Sequence, residues 1–212
     1  MKIAVIVALD NEYRLVEELL GGTFGTLPNG NEVELYRCGI GKVNAAMGVT
    51  SILESTRPDV VISSGVAGSI DPSLKPLDVI VADSIAYHDV WCGPGIPFGQ
   101  VQGLPQFFQT DRTLFGKATG LPFESIRPGL IASGDRFIEK PEEIASIKKL
   151  YPDALAVDME SGALAQVCHI YEAPFISFRI ISDSGDGASY DDFWKTAGSE
   201  SFTLLRAFLE AI

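Results

Sequence analysis

The chain is short of cations, cysteine and histidine, and each shortage excludes something. Its 212 residues carry 16 Lys+Arg against 28 Asp+Glu, a formal net charge of −12. So acidic a protein repels nucleic-acid backbones and anionic membrane surfaces, so neither nucleic acid nor membrane is expected as a partner. The three cysteines, Cys38, Cys92 and Cys168, are odd in number, far apart and without a CxxC pair. They make no disulfide framework and suit a reducing compartment. Two histidines, His88 and His169, are too few for a histidine-rich metal site and argue against a serine–histidine triad. No metal and no cofactor is expected. No apolar run approaches the roughly 18 residues of a membrane span, and the N-terminal MKIAVIVALDNEYR lacks the parts of a secretory signal. These features predict a cytoplasmic protein. The phosphate loop GxxxxGK[ST], the metal helix HExxH and the nucleophile elbow GxSxG are also missing.

What is present is a folding sequence. Hydrophobic residues make up 46% of the chain, enough for a sizeable core, and the length suits one domain over residues 1–212. Ile3–Leu9 is a β-branched apolar run, the pattern of a strand buried on both faces. Asp10–Leu20 has helical spacing and stops at Gly21-Gly22. A half-exposed strand follows over Glu32–Cys38, a helix over Val43–Leu53 and a buried strand over Asp59–Ser64. Further strands are predicted over Asp78–Ala86, Gly129–Ala132, Ala154–Val157 and Pro174–Ile181. Helices are predicted over Lys140–Leu150, with Pro141 at its start, over Met159–Tyr171, and over Asp192–Ile212 as a single closing helix. Alternating strands and helices imply an α/β layer structure with helices on both faces of a sheet. Trp91–Thr110, broken by proline and glycine, reads as a long loop of the kind that carries function.

Four polar groups of residues fall at strand ends, where α/β sheets place their ligands. Glu12 follows the first strand; it either complements the N-terminus of the next helix or serves a ligand. Ser63-Ser64-Gly65-Val66-Ala67-Gly68 reads either as a plain turn or as backbone that a ligand approaches closely. In Val157-Asp158-Met159-Glu160-Ser161, Asp158 looks like an N-cap and Glu160 a favourable first-turn charge. Arg179 interrupts an apolar strand, and a buried cation needs a partner; Ser182, Asp183 and Asp186 follow it. Gly39-Ile40-Gly41 sits between a strand and a helix, but the third glycine of a dinucleotide-binding turn is absent. Acids dominate the set. General acid and base work by carboxylates, as in cutting a glycosidic bond, is the chemistry they fit.

The motifs ALDNE at 8–12, CGIGKVNAA at 38–46, SGVAGSI at 64–70, SGDRFI at 133–138, VDMES at 157–161 and RIISDSGD at 179–186 resemble, in order and over almost the whole chain, one family. It is the 5′-methylthioadenosine/S-adenosylhomocysteine nucleosidases of the purine nucleoside phosphorylase-like superfamily. The resemblance implies a single-domain, three-layer αβα fold with a central mixed, partly barrel-like sheet, in a homodimer. It implies that Asp183 protonates adenine N7 and that Glu12 activates the attacking water. By the same resemblance Glu160 holds the ribose hydroxyls with Met159 packed on the sugar, Phe137 stacks on adenine and the Ile138 backbone reads its edge. Arg179 matches an arginine near the water and Tyr190 an aromatic of the 5′-substituent pocket. Val66, Ala67, Gly68, Asp158 and Ser182 complete the implied binding set, and Phe98 and Pro105 are implied to reach a partner's site from the 91–110 loop. No cofactor is implied.

Three positions depart from the family pattern. Val66 stands where many relatives carry serine, Asp158 where glutamate is common, and the 91–110 loop is unusual. An Asp183 protonated at neutral pH would need burial and the neighbouring Asp186 to keep it so. A phosphorylase of this superfamily needs arginines for its phosphate, yet Asp59–Ser64 holds no cation and Arg37 is the one basic residue near the other expected location. Water is therefore the expected nucleophile. A purine nucleoside phosphorylase, another purine nucleoside hydrolase such as a futalosine hydrolase, and a non-catalytic nucleoside-binding module are the alternatives.

Overall fold

The computed structural model describes residues 1–183 and 187–212; Asp186 lies outside them. The first strand, β1 (Lys2–Val7), sets the layers. Its alternate side chains point to opposite faces, as a pleated strand requires. Ile3, Val5 and Val7 join one core and Ala4 and Ile6 the other. On the first side pack α1 (Asp10–Leu20), α3 (Arg112–Thr119) and α7 (Thr203–Ala211). On the second pack α2 (Lys42–Ser55) and α5 (Ser161–Ile170). A third, smaller core lies under α4 (Pro141–Leu150), whose Ile147 meets Leu130 and Ala154.

The sheet mixes parallel and antiparallel pairs and closes on itself in part. The strands β4 (Val60–Ser69), β5 (Val79–Tyr87), β7 (Ile126–Ser133), β8 (Ala154–Asp158) and β9 (Phe175–Asp183) pair in a ring. Around it, β4 pairs β8, β8 pairs β7, β7 pairs β5, β5 pairs β9, and β9 returns to β4. From β4 the sheet continues through β1 to β3 (Glu32–Arg37) and β2 (Phe24–Thr26), and β6 (Phe108–Gln109) adds to β5. The α/β reading with a central mixed, partly barrel-like sheet therefore holds. Among the described residues, no helix is long and apolar enough to cross a membrane.

Several local expectations need correction. Ser63–Gly68 is not a turn: β4 runs on to Ser69, because residues 61–68 pair in parallel with β9. The closing helix is two helices, α6 (Gly187–Thr196) and α7, separated by a 3-10 turn at Ser199–Phe202. Asp158 is the last residue of β8, and Glu160 occupies the N-cap position of α5. The Asp158 carboxylate still accepts the Ser161 N–H, at 3.1 Å, so it serves the helix start from outside. Three elements were not foreseen: β2, α3 and β6, which lies within the segment read as the long loop Trp91–Thr110.

Candidate active site

Glu12 is fixed entirely by backbone. It is the third residue of α1, and its Oε2 accepts the N–H groups of Ala8 and Leu9, each at 2.9 Å. Its Oε1 accepts the Val66 N–H at 2.8 Å. The close approach to β4 requires glycine at 65, where a Cβ would sit 2.5 Å from Oε1. Glu12 is buried, and burial raises its pKa, against the opposing pull of these N–H groups and of Arg179. A carboxyl tuned upward in this way suits a general base at neutral pH. Val66 thus contributes its backbone; the helix-charge role and the ligand-facing position of Glu12 coexist.

Beneath Glu12 lies a buried charge cluster. The Arg179 Nε donates to Asp158 Oδ2 at 2.7 Å, its Nη2 to Ser63 Oγ at 2.8 Å, and the side chain is almost wholly enclosed. Burial works against the Arg179 charge, but Asp158, Glu160 and Glu12 outweigh it and hold the guanidinium above its ordinary pKa. The partner that a buried cation demands is therefore Asp158. Glu160 accepts the Gly41 N–H at 2.8 Å. Burial, then the charge of Asp158, push its carboxyl up to about 7. A small cavity of about 10 Å³ lies here, where Glu12, Glu160 and Arg179 meet Ser63, Ser64 and Cys38. Burial pushes the Cys38 thiol up to about 12, so it is no nucleophile.

Asp183 ends β9 and is buried, with Ser182 Oγ donating to its Oδ2 at 2.7 Å. Opposite it is a second glycine of β4: a Cβ on Gly68 would sit 3.2 Å from Asp183 Oδ1. The parallel pairing of β4 and β9 brings this about, since Gly68 is in register with Asp183.

Glu12, Asp183, Glu160 and Asp158 line one cleft. Val66, Ala67, Gly68 and Ser182 form its floor, and Met159 and Ile138 are also at its wall. Phe137 is half exposed and meets Tyr190 edge to face, ring centroids 5.5 Å apart, giving the cleft an aromatic side. Twelve of the fifteen predicted site residues line this cleft, and three do not. Arg179 lies behind the cleft rather than in its wall. Phe98 and Pro105 do not line the cleft of their own chain; Phe98 is exposed and Pro105 half-buried. Sequence reasoning missed Leu9 and Ile40 in the wall, and the part played by the Gly41 N–H. The signal was the Gly39-Ile40-Gly41 turn, whose nitrogen serves Glu160. Arg136 is the only cation among the lining residues described, and it pairs with Glu143. Arg37 pairs with Asp10 on the surface, outside the cleft. Among the described residues no group of three or more His, Cys, Asp and Glu could hold a metal ion.

Over residues 2–210 the chain matches the model of the Phosphorylase superfamily. The chain belongs to that superfamily. Solved structures resemble this superfamily member over its full length. The 5′-methylthioadenosine/S-adenosylhomocysteine nucleosidase of Neisseria meningitidis, in complex with methylthio-immucillin-A, is 34% identical with a TM-score of 0.91, covering 100% of this chain and 99% of the other. The nucleosidase of Streptococcus pneumoniae, in complex with 8-aminoadenine, is 33% identical with a TM-score of 0.92, covering 100% of both. Futalosine hydrolase of Helicobacter pylori strain 26695 is 28% identical with a TM-score of 0.91, covering 100% and 98%.

Proposed function

We propose that residues 1–212 act as one nucleosidase domain that hydrolyses the N-glycosidic bond of 5′-methylthioadenosine, S-adenosylhomocysteine or both. The products are adenine and the 5′-substituted ribose. The observation that carries this reading is the gathering of Glu12, Glu160 and Asp183 around one cleft with an aromatic side and, among the described residues, no unpaired cation in its lining. Departure of a purine leaves positive charge on the ribose and negative charge on the base. Asp183 gives a proton to adenine N7 as the C1′–N9 bond breaks, and Glu12 takes a proton from the water that bonds to C1′. Glu160 accepts from the ribose hydroxyls beside Met159. Phe137 stacks on the base, the Ile138 backbone meets its edge, and Tyr190 borders the 5′ group.

Water is the nucleophile in this reading because a desolvated phosphate dianion needs paired cations. Arg136, Arg37 and Arg179 are each already paired with a carboxylate. The likeness to the two nucleosidases favours an adenine nucleoside over futalosine. We further assign the chain to the cytoplasm as a homodimer. Exposed Trp91, Phe98 and Phe107 in the long loop, with Val43 and Met47 on α2, support such pairing, which would bring Phe98 and Pro105 to the partner's cleft. The test is release of adenine from 5′-methylthioadenosine with and without phosphate. Equal rates with free methylthioribose are expected; a strict phosphate requirement with a sugar 1-phosphate product overturns the hydrolase reading.

A further inference from the structure

The walls that hold the base and the ribose arise from different parts of the chain, and one small network joins them. Gly41 stands at the N-cap of α2 with φ of 89° and no side chain to cap the helix. The capping carboxylate comes instead from Asp135, whose Oδ1 accepts the Lys42 N–H at 2.7 Å. The approach is so close that a Cβ on Gly41 would lie 3.0 Å from that oxygen. The Lys42 Nζ donates to Asp89 Oδ2 at 2.8 Å and lies 5.2 Å from the centroid of the Tyr87 ring. The same Asp89 oxygen accepts the Asp135 N–H at 2.8 Å, closing the circuit. Burial holds the His88 imidazole below its usual pKa, so the cation facing Asp89 here is Lys42.

Each end of this circuit is one step from the cleft. Gly41, next to Lys42, gives its N–H to Glu160, and Phe137 is two residues beyond Asp135. We propose that Lys42, Asp89 and Asp135 form a clamp that sets the distance between the ring of Phe137 and the carboxylate of Glu160. The three are positioning residues: they touch neither base nor sugar, and the proposal rests on the nucleosidase reading for what Phe137 and Glu160 do. An open clamp leaves the acid–base pair of Glu12 and Asp183 in place, because both are held by β1, β4 and β9. The loss therefore falls on substrate binding.

Steady-state hydrolysis of 5′-methylthioadenosine by Asp135→Ala, Asp135→Asn and Lys42→Met tests this, together with the Kd of a non-hydrolysable analogue and the thermal midpoint of each variant. Removing a charge-assisted bond of this kind should raise KM and Kd about tenfold in Asp135→Ala and Lys42→Met, with kcat within about threefold of wild type. Asp135→Asn, which keeps an oxygen acceptor, should stay within about threefold in both. A purely structural role lowers the active fraction, which reduces kcat and leaves KM alone. Unchanged KM and Kd in both Asp135→Ala and Lys42→Met overturn the clamp, as does an Asp135→Asn as impaired as Asp135→Ala. A wild-type protein that neither cleaves nor binds the nucleoside overturns the nucleosidase reading and the clamp with it. One that binds the nucleoside without cleaving it still tests the clamp through Kd.

Discussion

Replacing Glu160 with glutamine should remove a defined part of the pH dependence of stability. Burial, with Asp158 and Glu12 nearby, lifts this carboxyl to about 7 from an ordinary 4.5. Between those values the folded chain keeps the proton and the unfolded chain releases it, so stability falls as pH rises through the window. At about 1.4 kcal/mol per pH unit, the whole effect is about 3 kcal/mol, and most of it is lost between pH 5 and pH 8. Glutamine cannot ionise, yet it retains an oxygen for the Gly41 N–H. His88, lowered and therefore acting in the opposite sense, remains in both proteins and cancels in the difference, whereas Glu12, raised in the same sense, faces Glu160 and is eased by the loss of its charge. Urea melts of wild type and Glu160→Gln at pH 5, 6, 7 and 8, at one protein concentration, should show the variant gaining about 2 to 3 kcal/mol relative to wild type across that range. In thermal melts the same gain is roughly 5 to 10 °C for a chain of this length. Parallel stability curves for the two proteins would refute the account of Glu160 as a carboxyl kept protonated by its surroundings.

Asp183→Asn should lower adenine release by about 10² to 10⁴, the usual worth of a general acid, while circular dichroism stays that of wild type; near-wild-type turnover sinks the assignment of the acid. Arg179→Met strands Asp158 as a buried charge without its cation, and should cost about 3 to 5 kcal/mol in urea unfolding. A loss under about 1 kcal/mol in that experiment would mean that the pair contributes no more than one on the surface.

The fold was legible where a segment's neighbours are near in sequence. The bounds of α1 are those its spacing predicts, because Gly21 takes the left-handed conformation that ends the helix. The extension of β4 through Gly65 and Gly68 was not legible: glycines read as turn residues, and their strand state depends on β9, more than 100 residues later. A separation of 21 residues hid the pairing of Asp158 with Arg179, although the need for a partner was plain from a cation in an apolar strand. Helix α3 left a signal that went unread. Asp111 caps it by accepting the Thr113 and Leu114 N–H groups, ahead of the buried Leu114 and Ala118. The split of the closing helix at Ala197-Gly198 is a glycine effect that helical periodicity on either side obscured. The acids that line the cleft stand at or just beyond strand ends, a position legible in the sequence. The clamp through Lys42, Asp89 and Asp135 was not, since its bonds join three segments far apart in the chain.

The two glycines of β4 bind the history of the site to its acids. Each is a hollow in the sheet cut to the outline of one carboxylate, Gly65 for Glu12 and Gly68 for Asp183. A descendant that lost Glu12 would carry a void in the middle of its barrel wall, and only a side chain at 65 could refill it. A descendant that kept Glu12 where it lies could place a side chain at 65 only by moving that carboxylate. Positions 12 and 65 are thus tightly coupled, and 183 and 68 more loosely, since a Cβ at 68 asks Asp183 to give by only a few tenths of an ångström. In any related sequence the residue at 65 then bears on which side chain faces it from position 12.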